Sequence, residues 1–293
     1  MALRSVTIGF FDGVHIGHRR VLNTLLSKGD RATVVTFWPH PRMVLQQDAR
    51  GLYLLSSLQE KETLLYETGA TEVLCLDFTK GFASGTAEEF IREHLISGLG
   101  CGRLVLGYDN RLGSDGLSTA EIAALARGLG LEVEIVEPCS VDGNSVSSTA
   151  IRQRLGAGDV EMAARMLGRP YSISGMVVGG NRIGRTMGFP TANLALSFPL
   201  KVVPARGVYA TRVKVAGNCY LGMTNIGVRP TVSDNPQLVI ETHIFDFDED
   251  IYGLEHELQF ISRIRGEKKF SSLDELKAQL VQDRQRCLEI FAE

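Results

Sequence analysis

The pattern of apolar and polar positions changes once along the chain, near Gly168. Before that residue, short apolar runs rich in β-branched side chains alternate with segments whose apolar residues recur at helical spacing. The runs that predict strands are residues 3–8, 31–37, 72–76, 103–106 and 131–136. Strict alternation of strands with helices is typical of a parallel sheet covered on both faces. We therefore predict an α/β fold with a doubly wound parallel sheet.

Three of the predicted helices carry the same start signal, a hydroxyl residue followed three positions later by glutamate. The pairs are Ser57 with Glu60, Thr86 with Glu89, and Ser118 with Glu121. In such a capping box, each side chain satisfies a backbone N–H group at the start of the helix. We expect helices to begin at these sites, and a further helix over residues 17–27.

After Gly168 the chain consists of short β-rich runs separated by glycine, proline and asparagine. These runs are residues 171–178, 207–215, 219–225, 237–245 and 256–264. Such spacing is typical of an antiparallel barrel or sandwich. A last helix over residues 272–291 has its apolar residues roughly on one face, which we expect to pack on the barrel. The predicted organisation is a first domain at 1–168, followed by an antiparallel β-barrel domain with a C-terminal helix at 169–293.

Composition changes this picture little. A length of 293 residues supports two domains, and a net charge of −3 gives no reason to expect nucleic acid as a partner. The five cysteines are scattered and include no C-x-x-C pair, so we expect reduced, buried side chains and neither a disulfide framework nor a zinc site. Because the N-terminus has no apolar signal region and no apolar run approaches membrane-spanning length, we expect a cytoplasmic protein with no membrane partner. Composition carries no signal for the oligomeric state.

The first candidate site is the turn after the first strand, which contains His15 and His18 on either side of a glycine. Gly9 and Gly13 permit a tight turn and a close backbone approach. In an open α/β sheet this turn lies outside the carboxyl end of a strand, where helix N-termini attract phosphate. Two histidines three residues apart can both direct ring N–H donors at one phosphate group. A lone histidine is more often structural, but this pair favours catalysis.

Three further loops after predicted strands carry polar residues that suit the same chemistry. They supply His40, then Asp109, and then Ser147, Ser148, Thr149 and Arg152. The Ser-Ser-Thr run is also a helix N-cap. A capped helix start offers backbone N–H groups and hydroxyls, and Arg152 adds a cation. Because the carboxyl ends of parallel strands share one edge of a sheet, we interpret these loops as one phosphate-binding site with the two histidines.

These motifs resemble those of the H-x-G-H nucleotidylyltransferases. The run Gly-Phe-Phe-Asp-Gly-Val-His-Ile-Gly-His at 9–18 is similar to the signature of the FAD synthetase half of the bacterial bifunctional riboflavin kinase/FAD synthetases. Segments 36–41, 107–113 and 146–152 resemble its later motifs, in the expected order. Asn110, Leu112 and Ser145 depart from the family pattern, in which Phe, Phe and a basic residue are frequent.

The resemblance implies that the first half is an FAD synthetase (nucleotidylyltransferase) domain. In such a domain His15 and His18 would donate to the triphosphate, Arg152 would hold the departing pyrophosphate, and Asp109 would contact the ribose or the nucleotide. The remaining residues that the resemblance assigns to the nucleotide and flavin site are Gly9, Phe10, His40, Ser147, Ser148 and Thr149.

The second informative stretch is the glycine-rich run at 179–193, which contains Arg182 and Arg185 and ends in Phe-Pro-Thr-Ala-Asn. It lacks the P-loop pattern, and a simple hairpin or linker is the alternative interpretation. Glycine-rich backbone with arginines nevertheless suits a polyphosphate. The run resembles the riboflavin kinase signature, and segments 225–231, 241–247 and 250–253 are similar to its later motifs. Ile183 departs from the family, in which a basic residue is frequent.

This second resemblance implies a riboflavin kinase domain. Thr191 and Asn193 would bind the magnesium that bridges the ATP phosphates, and Glu241 would accept the proton of the ribityl hydroxyl. Further contacts to the cofactors are implied for Gly184, Arg185, Asn225 and Arg229. The resemblance also implies that Glu241 points inward, because the imperfect alternation of residues 237–245 does not decide its direction.

The two halves together predict a bifunctional enzyme of flavin cofactor synthesis. Riboflavin and ATP would give FMN, and FMN and ATP would then give FAD and pyrophosphate, with Mg²⁺ required. Two alternatives stay open. One is a flavin-binding storage or regulatory protein that has lost catalysis, which the intact histidine pair and Glu241 disfavour. The other is a riboflavin kinase whose first domain uses another nucleotidyl acceptor. Only the departures at Asn110, Leu112 and Ser145 support it.

Overall fold

A computed structural model describes residues 4–28, 31–45, 51–180, 188–229 and 237–292 of the chain. Contacts between Cα atoms divide it into two compact units, Met1–Ser148 and Thr149–Glu293. This division falls earlier in the chain than Gly168, because the two helices that precede Gly168 group with the second unit. Within the described residues, no helix combines the length and apolar character needed to cross a membrane.

The first unit is built on a parallel sheet with the strand order β3-β2-β1-β4-β5. The strands are β1 (Arg4–Ile8), β2 (Arg31–Trp38), β3 (Glu72–Asp77), β4 (Cys101–Gly107) and β5 (Glu132–Val136). All adjacent pairs are parallel, which confirms the predicted doubly wound sheet. The order reverses between β1 and β4, so the topological switch point, where open α/β sheets bind ligands, lies at the carboxyl ends of these two strands.

Helices connect these strands. They are α1 (Ile16–Leu26), α2 (Pro41–Leu45), α3 (Leu58–Glu67), α4 (Lys80–Ala83), α5 (Ala87–Phe90) and α6 (Thr119–Gly128). The three predicted capping boxes are all present, at the starts of α3, α5 and α6. The helix predicted after Thr86 is α-helical only over α5 and continues as a π-helix over Ile91–Gly98. A short hairpin of β6 (Ser140–Val141) and β7 (Asn144–Ser145) was not apparent from the sequence.

Helix α1 is fixed at its carboxyl end by the fully buried Arg103 of β4. The guanidinium donates to the carbonyl oxygens of Thr24 at 3.0 Å and Leu25 at 3.3 Å, and it pairs with Glu134 at 2.7 Å. A cation beside the last carbonyls of a helix satisfies them and complements the helix dipole. The opposite end of α1, which carries the two histidines, is thereby held relative to the sheet.

The second unit begins with α7 (Ser148–Ala157, of which Ser148 closes the first unit) and α8 (Val160–Leu167), followed by six strands. These strands are β8 (Tyr171–Val178), β9 (Ala192–Leu196), β10 (Gly207–Val215), β11 (Asn218–Arg229), β12 (Gln237–Ile244) and β13 (Glu255–Arg265). They close into an antiparallel barrel with the order β10-β11-β12-β9-β8-β13. Of the predicted barrel or sandwich, the barrel is therefore correct. Strand β9 was not predicted, because it directly follows the glycine-rich run.

The last helix, α9 (Leu273–Ala292), covers part of the outer face of the barrel, as its apolar face predicts. Its Cys287 is fully buried in a cluster with Met223 and Phe245. The buried Asp283 of this helix accepts two bonds from the Nε atom of Arg265, at 3.0 and 2.9 Å, which ties α9 to β13.

Helices α7 and α8 are bound to the same barrel strand. Arg263 of β13 donates to the carbonyl oxygen of Ala157 at 3.1 Å, and its backbone N–H donates to Glu161 at 3.2 Å. Gly158, which lies beside this guanidinium, has a φ of 82°, in the region that favours glycine.

Candidate active sites

The first candidate site is the turn between β1 and α1. His15 is the N-cap of α1, and its Nδ1 atom accepts the backbone N–H of His18 at 3.3 Å. The two imidazole rings are stacked, with centroids 3.5 Å apart and an angle of 17° between the planes. Because Nδ1 of His15 is an acceptor, the neutral ring carries its proton on Nε2. The two histidines are therefore in direct ring-on-ring contact, and their joint donation to a phosphate group stays a prediction.

Both rings suit the neutral state. Burial, and secondarily the proximity of His15, holds the pKa of His18 well below its usual range. Nδ1 of His18 has no hydrogen-bond partner among the described residues. Two stacked imidazoles in the neutral state can offer N–H donors to an anion without repelling each other.

Three glycines of the motif permit the close packing and the turn around the histidine pair. A Cβ atom at Gly17 would lie 3.2 Å from both Cε1 and Nδ1 of His15, tighter than ordinary contact. A Cβ atom at Gly9 would lie 3.0 Å from the ring of Phe11. Gly13 has a φ of 79°, in the region that favours glycine.

Asp12, in the centre of the same motif, is an anchor that the sequence analysis did not identify. It is buried, and its Oδ1 atom accepts the backbone N–H groups of Leu55 at 2.9 Å and Ser56 at 3.0 Å. The hydroxyl of Ser56 accepts the N–H of Gly13 at 3.0 Å. These bonds tie the histidine turn to the segment before α3. An aspartate between a strand and a glycine turn was the only sequence signal for this role.

The loop before α7 also contacts this turn. The hydroxyl of Ser148 donates to the carbonyl oxygen of Asp12 at 2.9 Å. The hydroxyl that we predicted to bind phosphate therefore donates its proton to the backbone of the histidine turn. Ser147 precedes it directly. Thr149 and Arg152 lie in the first turns of α7, within the second unit, and their phosphate contacts stay predictions.

At the switch point, Asn110 bridges β1 and β4. Its Nδ2 donates to the carbonyl oxygen of Ile8 and its Oδ1 accepts the N–H of Gly107, both at 2.6 Å. The departure at position 110 thus has a structural explanation, and Leu112 packs into the core of the unit. Asp109, which directly precedes Asn110, is exposed and lies two residues after the end of β4. The third departure, Ser145, hydrogen-bonds Tyr108, whose pKa is raised chiefly by partial burial and by Asp109.

Phe10 and His40, from the loops after β1 and β2, touch each other. Their ring centroids are 4.2 Å apart with an interplanar angle of 72°, an edge-to-face contact. Nδ1 of His40 accepts the backbone N–H of Arg42 at 3.1 Å. The loops after β1, β2 and β4 all leave the same edge of the sheet, as the sequence predicts for a ligand site.

The second candidate site is a row of three polar residues across adjacent barrel strands. Glu241 of β12 is directly opposite Asn193 of β9 on one side and Asn225 of β11 on the other. Directly paired residues point to the same face of a sheet. Three residues that the sequence analysis singled out separately therefore form one row, with the carboxylate in the centre.

This row lies on the outer face of the barrel. The next residue of β12, Thr242, is fully buried, and its hydroxyl is 2.9 Å from that of Thr224, which is 2.8 Å from that of Thr211. These three hydroxyls occupy the barrel interior. Side chains alternate along a strand, so Glu241 points the other way and the expectation that it points inward is wrong.

Gly180, near the start of the glycine-rich run, lies against the Asn193 end of this row. A Cβ atom at Gly180 would lie 2.2 Å from Nδ2 of the buried Asn193, so only glycine permits this approach. Gly184 and Arg185 lie outside the described residues, and so does the side chain of Arg229 at the end of β11.

His243, two residues after Glu241, is a further residue of this site that the sequence analysis missed. Its Nδ1 atom donates to the carbonyl oxygen of Pro190 at 2.9 Å, and its ring meets that of Phe189 at 5.1 Å. Burial lowers the pKa of His243, which keeps the ring neutral. The sequence signal that could have identified His243 is its spacing of two residues from Glu241, which puts both side chains on the same face of β12.

Two cavities flank the segment that contains Pro190. One, of about 330 Å³, is lined by Thr191, Ile244, Phe247, Asp250, Ile251 and Tyr252, among others. The other, of about 940 Å³, is lined by Phe189, His243, Arg284, Gln285, Arg286 and Glu289, among others. Pro190 borders both. A segment between two cavities suits a reaction that joins two substrates.

Other parts of the sequence analysis concern metals and cysteines. All five cysteines are free, but only Cys101 and Cys287 are buried, and Cys219 is exposed. Within the described ranges, no three His, Cys, Asp or Glu side chains come together in a way that could hold a metal ion.

The fold and the two sites define a class of protein in which a nucleotidylyltransferase-like α/β unit is combined with a closed β-barrel unit. The FAD synthetase family model matches residues 3–150, and the riboflavin kinase family model matches residues 167–291.

Relatives match nearly the whole chain. A bifunctional riboflavin kinase/FMN adenylyltransferase of Escherichia coli strain K12 is 39% identical over 98% of this chain and 92% of its own length. Its counterpart from Bacillus subtilis is 36% identical with the same coverage. A crystal structure from Streptococcus pneumoniae, described as a macrolide-efflux protein, is 35% identical with a TM-score of 0.90 and covers 97% of this chain and 93% of that one. The chain belongs to the bifunctional riboflavin kinase/FMN adenylyltransferase family.

Proposed function

We propose that the chain phosphorylates riboflavin with ATP to give FMN, and then transfers an adenylyl group from a second ATP to FMN, giving FAD and pyrophosphate. The observation that carries the proposal is the row formed by Asn193, Glu241 and Asn225 in one unit, together with the histidine stack in the other. Each activity is assigned its own set of residues, centred on the histidine turn for adenylyl transfer and on the barrel row for phosphoryl transfer. A cytoplasmic location is part of the same proposal.

In adenylyl transfer, a phosphate oxygen of FMN attacks the α-phosphorus of ATP and pyrophosphate departs. The protein needs no nucleophile of its own, so catalysis depends on alignment and on charge stabilisation. His15 would donate from Nε2–H, the nitrogen left protonated by its bond to the backbone of His18. His18 would donate from the stacked ring beside it. The anchored Asp12 turn keeps these donors in place as charge develops on the phosphate oxygens.

Phe10, His40 and Asp109 would line the substrates at the same edge. The edge-to-face pair of Phe10 and His40 offers an aromatic wall, and Asp109 on the surface after β4 offers a carboxylate to a ribose hydroxyl. Ser147, Thr149 and Arg152 are proposed for the triphosphate, with Arg152 on the pyrophosphate.

In phosphoryl transfer, the terminal ribityl hydroxyl of riboflavin attacks the γ-phosphorus of ATP. Glu241 would accept the hydroxyl proton as the bond to phosphorus forms and the bond to ADP breaks. Asn193 and Asn225, on either side, would orient the carboxylate and the reacting groups. Gly184, Arg185 and Arg229 are proposed contacts of the phosphates.

The residues present fit Mg²⁺. The hydroxyl of Thr191 and the amide oxygen of Asn193 are hard oxygen donors, and Mg²⁺ is commonly held by one or two protein oxygens together with substrate phosphates. Thr191 borders a cavity and Asn193 is held by the close backbone of Gly180. When bound with ATP, the ion would neutralise charge on the phosphates.

The proposal is tested by incubating the protein with riboflavin, ATP and MgCl₂ and separating the flavins by chromatography over time. We expect FMN to appear first and FAD to follow, with one ADP per FMN formed and one pyrophosphate per FAD. Chelation of the metal should stop both reactions. Flavin that binds without any product would favour the storage or regulatory protein, and FMN that accumulates without FAD would favour a different nucleotidyl acceptor.

A further inference from the structure

Lys61 of α3 is a buried lysine. Only 1% of the residue is exposed, and within the described part of the chain it forms no ion pair. Its ammonium donates one hydrogen bond, to the carbonyl oxygen of Phe37 at 3.1 Å. Lysine is almost never fully buried unless it is paired, so this position requires an explanation.

The ammonium lies against the aromatic wall of the first site. Its nitrogen is 4.3 Å from the ring centroid of Phe10 and 5.9 Å from that of Trp38. The same Phe10 ring makes the edge-to-face contact with His40. Lys61, Phe10 and His40 thus form a continuous stack that joins α3 to the loops after β1 and β2.

Keeping this charge inside the unit has a cost. Burial lowers the pKa of Lys61 from 10.5 to about 8, even though the groups facing it, Cys75, Asp12 and Glu62, act in the opposite direction. An unbranched apolar side chain of similar length would fill the same space without that cost. Charged groups retained at the expense of stability are typical of functional sites.

We infer that Lys61 is a positioning residue of the nucleotidyl-transfer site, whose ammonium holds the Phe10 ring against His40 and so fixes the two loops that receive the substrates. This inference rests on the proposed function. Cation–π attraction between the buried ammonium and the partly buried Phe10 ring supplies the force, and the hydrogen bond to the Phe37 carbonyl oxygen sets the direction of the ammonium. Lys61 acts on the reaction only through these two aromatic residues.

The test compares the full-length protein with Lys61→Met and with Lys80→Met, which removes an exposed lysine of the same unit. Three quantities are measured: FAD formation from FMN, FMN formation from riboflavin, and urea unfolding followed by the fluorescence of Trp38. Trp38 is the single tryptophan of the chain, so it reports the first unit alone.

We expect Lys61→Met to lower kcat/KM for FAD formation at least tenfold, to leave riboflavin phosphorylation unchanged, and to unfold at the same or a higher urea concentration at pH 7. Lys80→Met should match wild type in all three. The rate of FAD formation by wild type, divided by that of Lys61→Met, should also fall toward one between pH 7 and pH 9.5, because Lys61 of the wild type loses its proton over this range.

Unaltered FAD formation in Lys61→Met would overturn the inference. The inference would also be overturned if Lys61→Met lost FAD formation, unfolded at a lower urea concentration than wild type, and showed a ratio of the two FAD-formation rates that does not change with pH. Lys61 would then serve the stability of the fold. Wild-type protein that makes no FAD would contradict the proposed function itself and, with it, the role of Lys61.

Discussion

The Nδ1 atom of His243 lies 2.9 Å from the carbonyl oxygen of Pro190. Strand β12 therefore carries both the proposed base, Glu241, and the group that holds the segment leading to Thr191. One rigid strand sets the distance between the proton acceptor and the proposed metal ligand.

Replacement of His243 by asparagine or by glutamine tests whether the hydrogen bond from Nδ1 to Pro190 matters for FMN formation. The asparagine amide nitrogen can take the position of Nδ1 and donate to Pro190, whereas the longer glutamine mimics Nε2. We expect His243→Asn to form FMN within a few-fold of wild type and His243→Gln to be slower by about 10²-fold, the scale of a 1 Å misplacement. Steady-state FMN formation is the measurement. Equal rates for the two variants would contradict a role for the bond.

Glu241→Gln keeps the volume and the flanking asparagines but removes the base. Riboflavin phosphorylation should fall by roughly 10²–10⁴-fold, the usual contribution of a positioned general base. ATP and riboflavin should still bind, and FAD formation from supplied FMN should continue at the wild-type rate. An unaltered phosphorylation rate would make Glu241 an ordinary strand residue.

His18→Ala removes one ring of the stack. FAD formation should fall by about 10²–10³-fold, since the lost donor serves charge that develops in the transition state. FMN formation in the same samples is the control and should not change. Equal loss of both activities would indicate that His18 maintains the fold.

The division of the chain can be tested with two fragments. Both 149–293 and 169–293 contain every strand of the barrel, but only the longer one keeps α7 and α8, which are bound to β13 through Arg263 and Glu161. We expect both to phosphorylate riboflavin and the longer one to melt at a higher temperature. Thermal unfolding by circular dichroism gives the comparison. A folded 169–293 fragment without kinase activity would show that the site extends beyond the barrel.

His256, inside the barrel, should make the second unit sensitive to acid. The residue is only 1% exposed, and the backbone of Gly175 is a polar group that faces its ring. Burial lowers the pKa of His256 from 6.5 to about 4, against the opposing effect of the Gly175 backbone. Between these values the unfolded chain binds more protons than the folded one, so stability is complete above pH 6.5 and is lost as the pH falls toward 4.

The matching variant is His256→Leu, which cannot titrate. Relative to this variant, wild type should lose on the order of 3 kcal/mol of unfolding free energy between pH 7 and pH 4. Urea unfolding followed by circular dichroism measures the difference, with Trp38 fluorescence as the control for the first unit. A constant difference across this range would mean that the ring stays neutral or finds a partner.

The sequence was most informative where one signal was strong and local. The capping box at Ser57 and the β-branched run of β2 each appear where predicted. No sequence signal distinguished the π-helix over Ile91–Gly98 from an α-helix, because the pattern of these residues predicts an ordinary helix. Strand β9 is five residues long and follows a glycine-rich run, which hid its extended conformation.

The geometry of the sites depended on relationships that a linear pattern does not contain. The direction of Glu241 was unclear because β12 is covered on both faces, by the barrel interior at Thr242 and by Phe189 at His243. The bridge from Asn110 to Ile8 joins residues 102 positions apart, and it could be foreseen only with the order of the strands. Lys61 was missed because a lysine within a helix usually faces solvent.

If the row of Asn193, Glu241 and Asn225 carries the proposed kinase activity, that activity depends on the pairing of β12 with both of its neighbours. Its members come from three strands that lie side by side only when β12 has paired with β11 on one side and with β9 on the other. A slip of β12 by one residue would turn Glu241 into the interior and bring Thr242 out in its place. We therefore expect a chain in which β12 is unpaired to leave riboflavin unphosphorylated, and the recovery of phosphorylation during refolding to report the pairing of β12 in register on both sides.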